Sequence, residues 1–198
     1  MTDDLITVPH AHRMFRVVRA GWRDATDASH SQKRADNRWN TADFPALYCC
    51  CSVRVARAVV LDVFRLAAVV VEDLQPEARP ALAELSWVGR VVDVASPGGV
   101  AAAGFPLGYP AGVNKEQTRR AASQWHELGH EGLVCRSASL WRREQERASW
   151  EGEHGHWSEV AIFPLKATNR AREDGRQIDL AWLHPSLREQ PVHPPTTA

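Results

Sequence analysis

Net charge is the first thing this sequence lacks. Lys plus Arg and Asp plus Glu each number 24 among 198 residues, so the formal charge is zero with histidine neutral. Without a basic excess the chain has no electrostatic footprint of a general nucleic-acid binder, whose affinity rests on neutralising phosphates. The local basic pairs Arg119-Arg120 and Arg142-Arg143 have acidic neighbours and read as solvated faces, with anion sites as the alternative. Long apolar runs are also missing. Residues 66–71 fall far short of the ~18 needed to span a membrane and run into Glu72 and Asp73. No basic-then-apolar leader follows Met1-Thr2-Asp3-Asp4, so no secretory signal is expected and the cytoplasm is the expected compartment. Cysteine is scarce, with four residues, three of them adjacent. Successive strand side chains point to opposite faces, so Cys49, Cys50 and Cys51 cannot converge on one metal and read as reduced core residues. Residues 96–113 are rich in Gly and Pro but lack a Gly-Lys-Ser/Thr ending, which excludes a phosphate loop. Arg136-Ser137-Ala138 lacks the Gly-x-Ser-x-Gly elbow of a hydrolase triad.

What is present is an ordinary globular balance, 44% hydrophobic and 24% charged, at a length suited to one domain. The expected organisation is a lead-in over 1–12, one domain over 13–184 and a Pro-rich tail over 185–198. Strand-like spacing marks residues 13–18, 46–51, 86–94, 132–136 and 158–165. Ser52 can cap a helix over 53–71, whose β-branched end at 69–71 could instead be strand. Residues 75–83, with two prolines, read as a turn into a short helix. Asn114 and Gln117 form a capping box for a helix over 115–128, which Gly129 stops. Residues 24–37 read as a loop or frayed helix, 96–113 as an irregular loop or lid, and 166–177 as a polar segment. Strands and helices are scattered rather than alternating in βαβ units, which argues for α+β.

The stretch from Arg38 to Tyr48 concentrates a planar cation, an indole and a phenol. Arg forks onto phosphate or carboxylate, and Trp and Tyr offer flat faces with one polar handle each. Together they suit a flat anionic ligand such as a nucleotide; as ordinary residues they would be two core aromatics and a surface cation. Glu151, Glu153, His154 and His156 resemble scattered metal donors, but no closed ligand set accompanies them, and no metal is expected. Trp141, Trp150 and Trp157 lie in or beside the charged segment 140–157, which could be a partner surface or a helix packing on the core.

Arg38-Trp39-Asn40, a loop ending Phe44-Pro45-Ala46, then Leu47-Tyr48 and a strand leading to Ser52 and Ala56, resembles the RES domain, a family named for its arginine, glutamate and serine. Gly132-Leu133 with Ser137 resembles its downstream segment. Weaker echoes are Phe15-Arg16-Val17, Val91-Val92-Asp93-Val94 and Glu159-Val160-Ala161-Ile162-Phe163. The resemblance implies an ADP-ribosyltransferase-like fold of two small, mostly antiparallel sheets with surrounding helices. It implies a bacterial toxin of a toxin–antitoxin pair that degrades NAD, as phosphorylase or glycohydrolase, with an Xre-like antitoxin as partner. By position it assigns Arg38, Tyr48 and Ser137 to catalysis. It assigns Arg16, Arg38, Trp39, Asn40, Tyr48 and Ser137 to binding NAD, the substrate, with phosphate as a further ligand. Two departures stand out. Asp36 and Asn37 replace the family's two glycines. Val59 or Val60 occupies the position of its glutamate, and the nearest helical carboxylate, Asp62, lies roughly 4.5 Å further along the axis. Asp62, or a distant acid such as Glu159 or Glu84, would have to substitute. The alternative is a divergent member that binds a nucleotide or a protein without turnover, or transfers ADP-ribose.

Overall fold

In a computed structural model of the chain, the structure describes residues 5–33, 37–67, 70–144 and 157–183. The strands are β1 (Thr7–His10), β2 (Arg13–Arg19), β3 (Leu47–Cys50), β4 (Pro80–Ser86), β5 (Gly89–Val94), β6 (Gly132–Arg136), β7 (Ser158–Ile162) and β8 (Arg172–Gln177). The α-helices are α1 (Ser29–Gln32), α2 (Val53–Ala67), α3 (Pro97–Ala102), α4 (Lys115–Glu127) and α5 (Ala138–Glu144). The class is α+β, as expected. All eight strands join one sheet in the order β1-β5-β6-β7-β3-β2-β4-β8. Among the described strands only β5 and β6 run parallel. Parallel neighbours need a long crossover, and α3, the following loop and α4 supply it.

The resemblance led us to expect two small sheets, and the trace of that division remains. β2 meets β3 through a single residue pair, Phe15 with Cys50, whereas β2 and β4 pair along seven residues. The sheet is therefore two halves, β1-β5-β6-β7-β3 and β2-β4-β8, meeting at a narrow seam.

Both faces are covered. One face presents Met14, Val18, Leu47, Cys49, Ala83, Val91 and Val160 under residues 20–32 and Trp87. On the other, Val92, Leu133, Cys135 and Ala161 lie under Trp39, Phe44, Tyr109 and Trp125. Beyond the seam, Cys50 and Leu82 lie under Val55, Ala56 and Val60 of α2 and under Trp182. The four cysteines are free, and Cys49, Cys50 and Cys135 are buried.

Local chemistry explains the elements. Ser52 Oγ accepts the Val55 N–H at 3.2 Å at the start of α2. Asn114 and Gln117 form the full capping box of α4, and Gly129 takes φ 86° just past its end. Thr118, Ala122 and Trp125, spaced for one helical face, are its buried residues. Gly132 is needed because a Cβ there would lie 2.4 Å from the Ala161 carbonyl oxygen on β7.

Some segments differ from expectation. Residues 7–10, read as part of a lead-in, pair with β5. Residues 80–86, read as partly helical, form β4; Pro80 sits at the first strand position, where a missing N–H is tolerated. The polar segment 172–177 is the edge strand β8. The Gly/Pro-rich stretch holds α3 and buries Tyr109 completely. Arg136 anchors it from β6 through the carbonyls of Ala95 (2.8 Å), Leu107 (2.8 Å) and Tyr109 (2.9 Å). The Pro-rich tail over 185–198 lies outside the described residues, as do Asp36, Trp150, Glu151, Glu153, His154 and His156.

His10, at the end of β1, is 5% exposed beside Trp87 and His12. Its Nε2 has no hydrogen-bond partner. Burial first, and the His12 charge second, lower its pKa from 6.5 to about 4. Between those values only the unfolded chain binds the proton, so stability falls as pH drops from 6.5 toward 4, by roughly 3 kcal/mol in all. Denaturant melts at pH 7 and pH 5 should show about 2 kcal/mol of this loss, and His10→Gln should remove most of it.

Candidate active site

The Arg38–Tyr48 stretch is built around one phenol. Tyr48 lies on β3 opposite Ala161 of β7. Its hydroxyl accepts the Trp39 backbone N–H at 2.8 Å and donates to Asn40 Oδ1 at 2.9 Å. Asn40, fully buried, donates from Nδ2 to the carbonyls of Ser31 (2.9 Å) and Thr41 (3.1 Å). Ser31 Oγ in turn accepts the Ala46 N–H at 2.9 Å, closing the loop from behind. Trp39 is 2% exposed, stacked on Trp125 at 5.8 Å and bordered by Phe105 and Tyr109. The indole is thus core, the asparagine a strut and the tyrosine the clasp. Between these fixed neighbours sits Arg38, half-buried, making no hydrogen bond or ion pair with any described residue.

Asn37, where the family has glycine, is fixed as well. Its Nδ2 donates to the Ser31 carbonyl at 3.2 Å, and its own carbonyl accepts from Arg119 Nε at 2.8 Å.

A carboxylate reaches this region from β7. Strand alternation and register put Tyr48, Cys50, Cys135, Glu159 and Ala161 on one face. Ser137, fully buried just past β6, donates from Oγ to Glu159 Oε1 at 2.6 Å. The same Oγ accepts the Leu140 N–H at 3.3 Å at the start of α5. Burial raises the Glu159 pKa; the Ser137 hydrogen bond and the Arg38 and Arg142 charges pull it back, and Asp62 pushes it up. Burial also pushes the Tyr48 phenol up and the Cys135 thiol up to about 12, so neither is a ready nucleophile at neutral pH.

Arg38, Tyr48, Ser137 and Glu159 are therefore brought together at the seam. Arg16 is not: it lies on the opposite face, donating to the carbonyls of Ala25 (2.5 Å) and Asp27 (2.9 Å), with Trp22 beside it at 5.6 Å. Asp62 is buried on α2 and takes both Nε (3.1 Å) and Nη2 (2.5 Å) of Arg142. Glu84 pairs with Arg13 at 2.8 Å. Val59 and Val60, where the resemblance implied a glutamate, pack in the α2 core cluster.

Sequence reasoning offered Glu159 only as a distant substitute acid, and read Arg119 as solvent-facing with an anion site as the alternative. For the first the local signal is weak: Glu159 is the partly exposed residue of the strand Ser158–Ile162, and only pairing with β3 and β6 sets it on the face of Tyr48. For the second, Arg119 directly follows the buried Thr118, at the margin of the inward stripe.

The RES domain model matches residues 13–183. The chain belongs to the RES family. Comparison with curated protein sequences finds no match. Among solved structures the chain is similar to one in the crystal structure of the M. tuberculosis MbcT–MbcA toxin–antitoxin complex, at TM-score 0.67 and 16% identity. The match covers 86% of this chain and 85% of that one. On this fold the Ser137 hydroxyl meets a strand carboxylate, Glu159, whereas the resemblance implied an acid on α2. Among the described residues no three His, Cys, Asp or Glu side chains are grouped to hold a metal, and no helix is long and apolar enough to cross a membrane.

Proposed function

We propose that this RES domain cleaves NAD, releasing nicotinamide and transferring the ADP-ribosyl group to phosphate or water. In this reading it is the toxin of a toxin–antitoxin pair, acting in the cytoplasm and held by an Xre-like antitoxin. Family membership supports the assignment, as does the likeness to a chain of a toxin–antitoxin complex. The observation that carries it is the Glu159–Ser137 pair set beside an uncommitted Arg38.

Breaking the bond between ribose C1′ and the nicotinamide nitrogen sends the electron pair to the ring, neutralising it, and leaves positive charge on the sugar, as in glycoside cleavage. A carboxylate held dry at that carbon stabilises the developing cation by several kcal/mol, and each ~1.4 kcal/mol is a factor of ten in rate. Glu159 is that carboxylate, oriented by the Ser137 hydroxyl. Arg38 holds a phosphate of the substrate or the attacking phosphate ion. Tyr48 acts through the loop it clasps and is a positioning residue. When water is the acceptor, Glu159 also takes its proton.

The test is NAD consumption by the purified protein with and without phosphate, alongside Arg38→Ala. Loss of NAD that falls at least about a hundredfold in the variant is expected, and dependence on phosphate names the acceptor. Intact NAD in the presence of folded protein overturns the reading and leaves a nucleotide-binding or partner-capturing module.

A further inference from the structure

Arg119 and Arg120 are adjacent on α4 but meet different fates. Arg120 faces solvent and pairs with Glu116 at 3.4 Å, with side chains 73% and 80% exposed. Arg119 turns inward, half-buried, and donates from Nε to the Asn37 carbonyl. That carbonyl belongs to the peptide leading into Arg38. The terminal nitrogens of Arg119 make no hydrogen bond or ion pair with any described residue, and neither does the Arg38 guanidinium. Two open guanidiniums thus flank one peptide whose position is fixed from two sides, by Arg119 and by Asn37 Nδ2 on Ser31. The Arg119 charge also reaches the Tyr48 phenol, which places it on the site side of α4.

We propose that Arg119 and Arg38 form a two-armed phosphate fork, with Arg119 the second cation of the site and a determinant of its affinity for phosphate-bearing ligands. The inference rests on the site taking such a ligand. Guanidinium presents paired, charge-assisted donors to phosphate oxygens, and two of them on a rigid backbone lose little freedom on binding. The Asn37 side chain contributes by its hydrogen bond to Ser31, which steadies the peptide whose carbonyl Arg119 holds.

The ligand could be the diphosphate of a dinucleotide or free phosphate, and calorimetry on the full chain separates them. ADP-ribose, inorganic phosphate and nicotinamide are titrated into the wild type, Arg119→Gln and Arg119→Lys, each shown to be folded by circular dichroism. ADP-ribose binding is expected to weaken at least about tenfold in Arg119→Gln and recover in part in Arg119→Lys, with nicotinamide binding unchanged. If phosphate binding falls while ADP-ribose binding holds, the fork serves the acceptor. Unaltered binding of both in a folded Arg119→Gln, or absence of either from the wild type, overturns the proposal. If NAD survives incubation while ADP-ribose still binds through Arg119, cleavage is excluded and the fork stands.

Discussion

Glu159→Gln is expected to reduce NAD cleavage by about a thousandfold, some 4 kcal/mol of transition-state stabilisation, with little change in stability. The amide keeps the shape of the carboxylate and its contact with Ser137 and removes only the charge, which burial already disfavours. Asp62→Asn is the control. Its carboxylate is spent on Arg142, whose side chain is 45% exposed, so the change should cost about 1 kcal/mol of stability and leave cleavage within a few-fold. A steep fall in Asp62→Asn with activity retained in Glu159→Gln would return the acid to the helix. Ser137→Ala adds a directional check. Its hydroxyl bonds the carboxylate and holds the raised pKa down, so losing it should move the acidic limb of the pH–rate profile to higher pH.

Tyr48→Phe should separate holding the loop from doing chemistry. Phenylalanine fills the same space but leaves the Trp39 N–H and Asn40 Oδ1 without their shared partner, in a place where Asn40 is fully buried. Two orphaned groups predict a destabilisation of roughly 2–3 kcal/mol in denaturant melts. Cleavage should fall as well, because the loop carrying Arg38 is no longer clasped. Stability within 0.5 kcal/mol of wild type, read as the ordinary scatter of a surface substitution, would mean that the two hydrogen bonds do not organise the loop.

The same residues show what could be read in the sequence. The α4 boundaries followed from Asn114, Gln117 and Gly129, because caps are local chemistry within a few residues. The Arg38–Tyr48 stretch was recognisable by its order, yet its roles were not. That Trp39 is core and Tyr48 a clasp depends on Trp125, 86 positions away from Trp39, and on the backbone path between residues 31 and 46. Arg16 matched by position, but the side of the sheet it faces is fixed by pairing with β4, and a one-residue change of phase reverses it. Glu159 and Ser137 are 22 residues apart, and only the antiparallel register of β6 and β7 brings them together. β4 was missed because Pro80 reads locally as a turn, and only pairing with β2 makes it the first position of a strand.

The seam between the halves of the sheet also bears on how the molecule is assembled. Taken in chain order, β1 lies in one half, β2 in the other, β3 in the first, β4 in the second, β5 to β7 in the first and β8 in the second. The polypeptide crosses the junction five times, although the junction itself is a single residue pair. No cut in the sequence frees either half as a contiguous piece, so neither could be inherited, excised or folded alone. Most sheet contacts join distant parts of the chain, which places the loop-closure entropy early and the reward late and favours slow folding. The site residues lie on or beside β3, β6 and β7, so the site comes into being only when β7 has paired with both β3 and β6, and a chain folded short of that carries no assembled site.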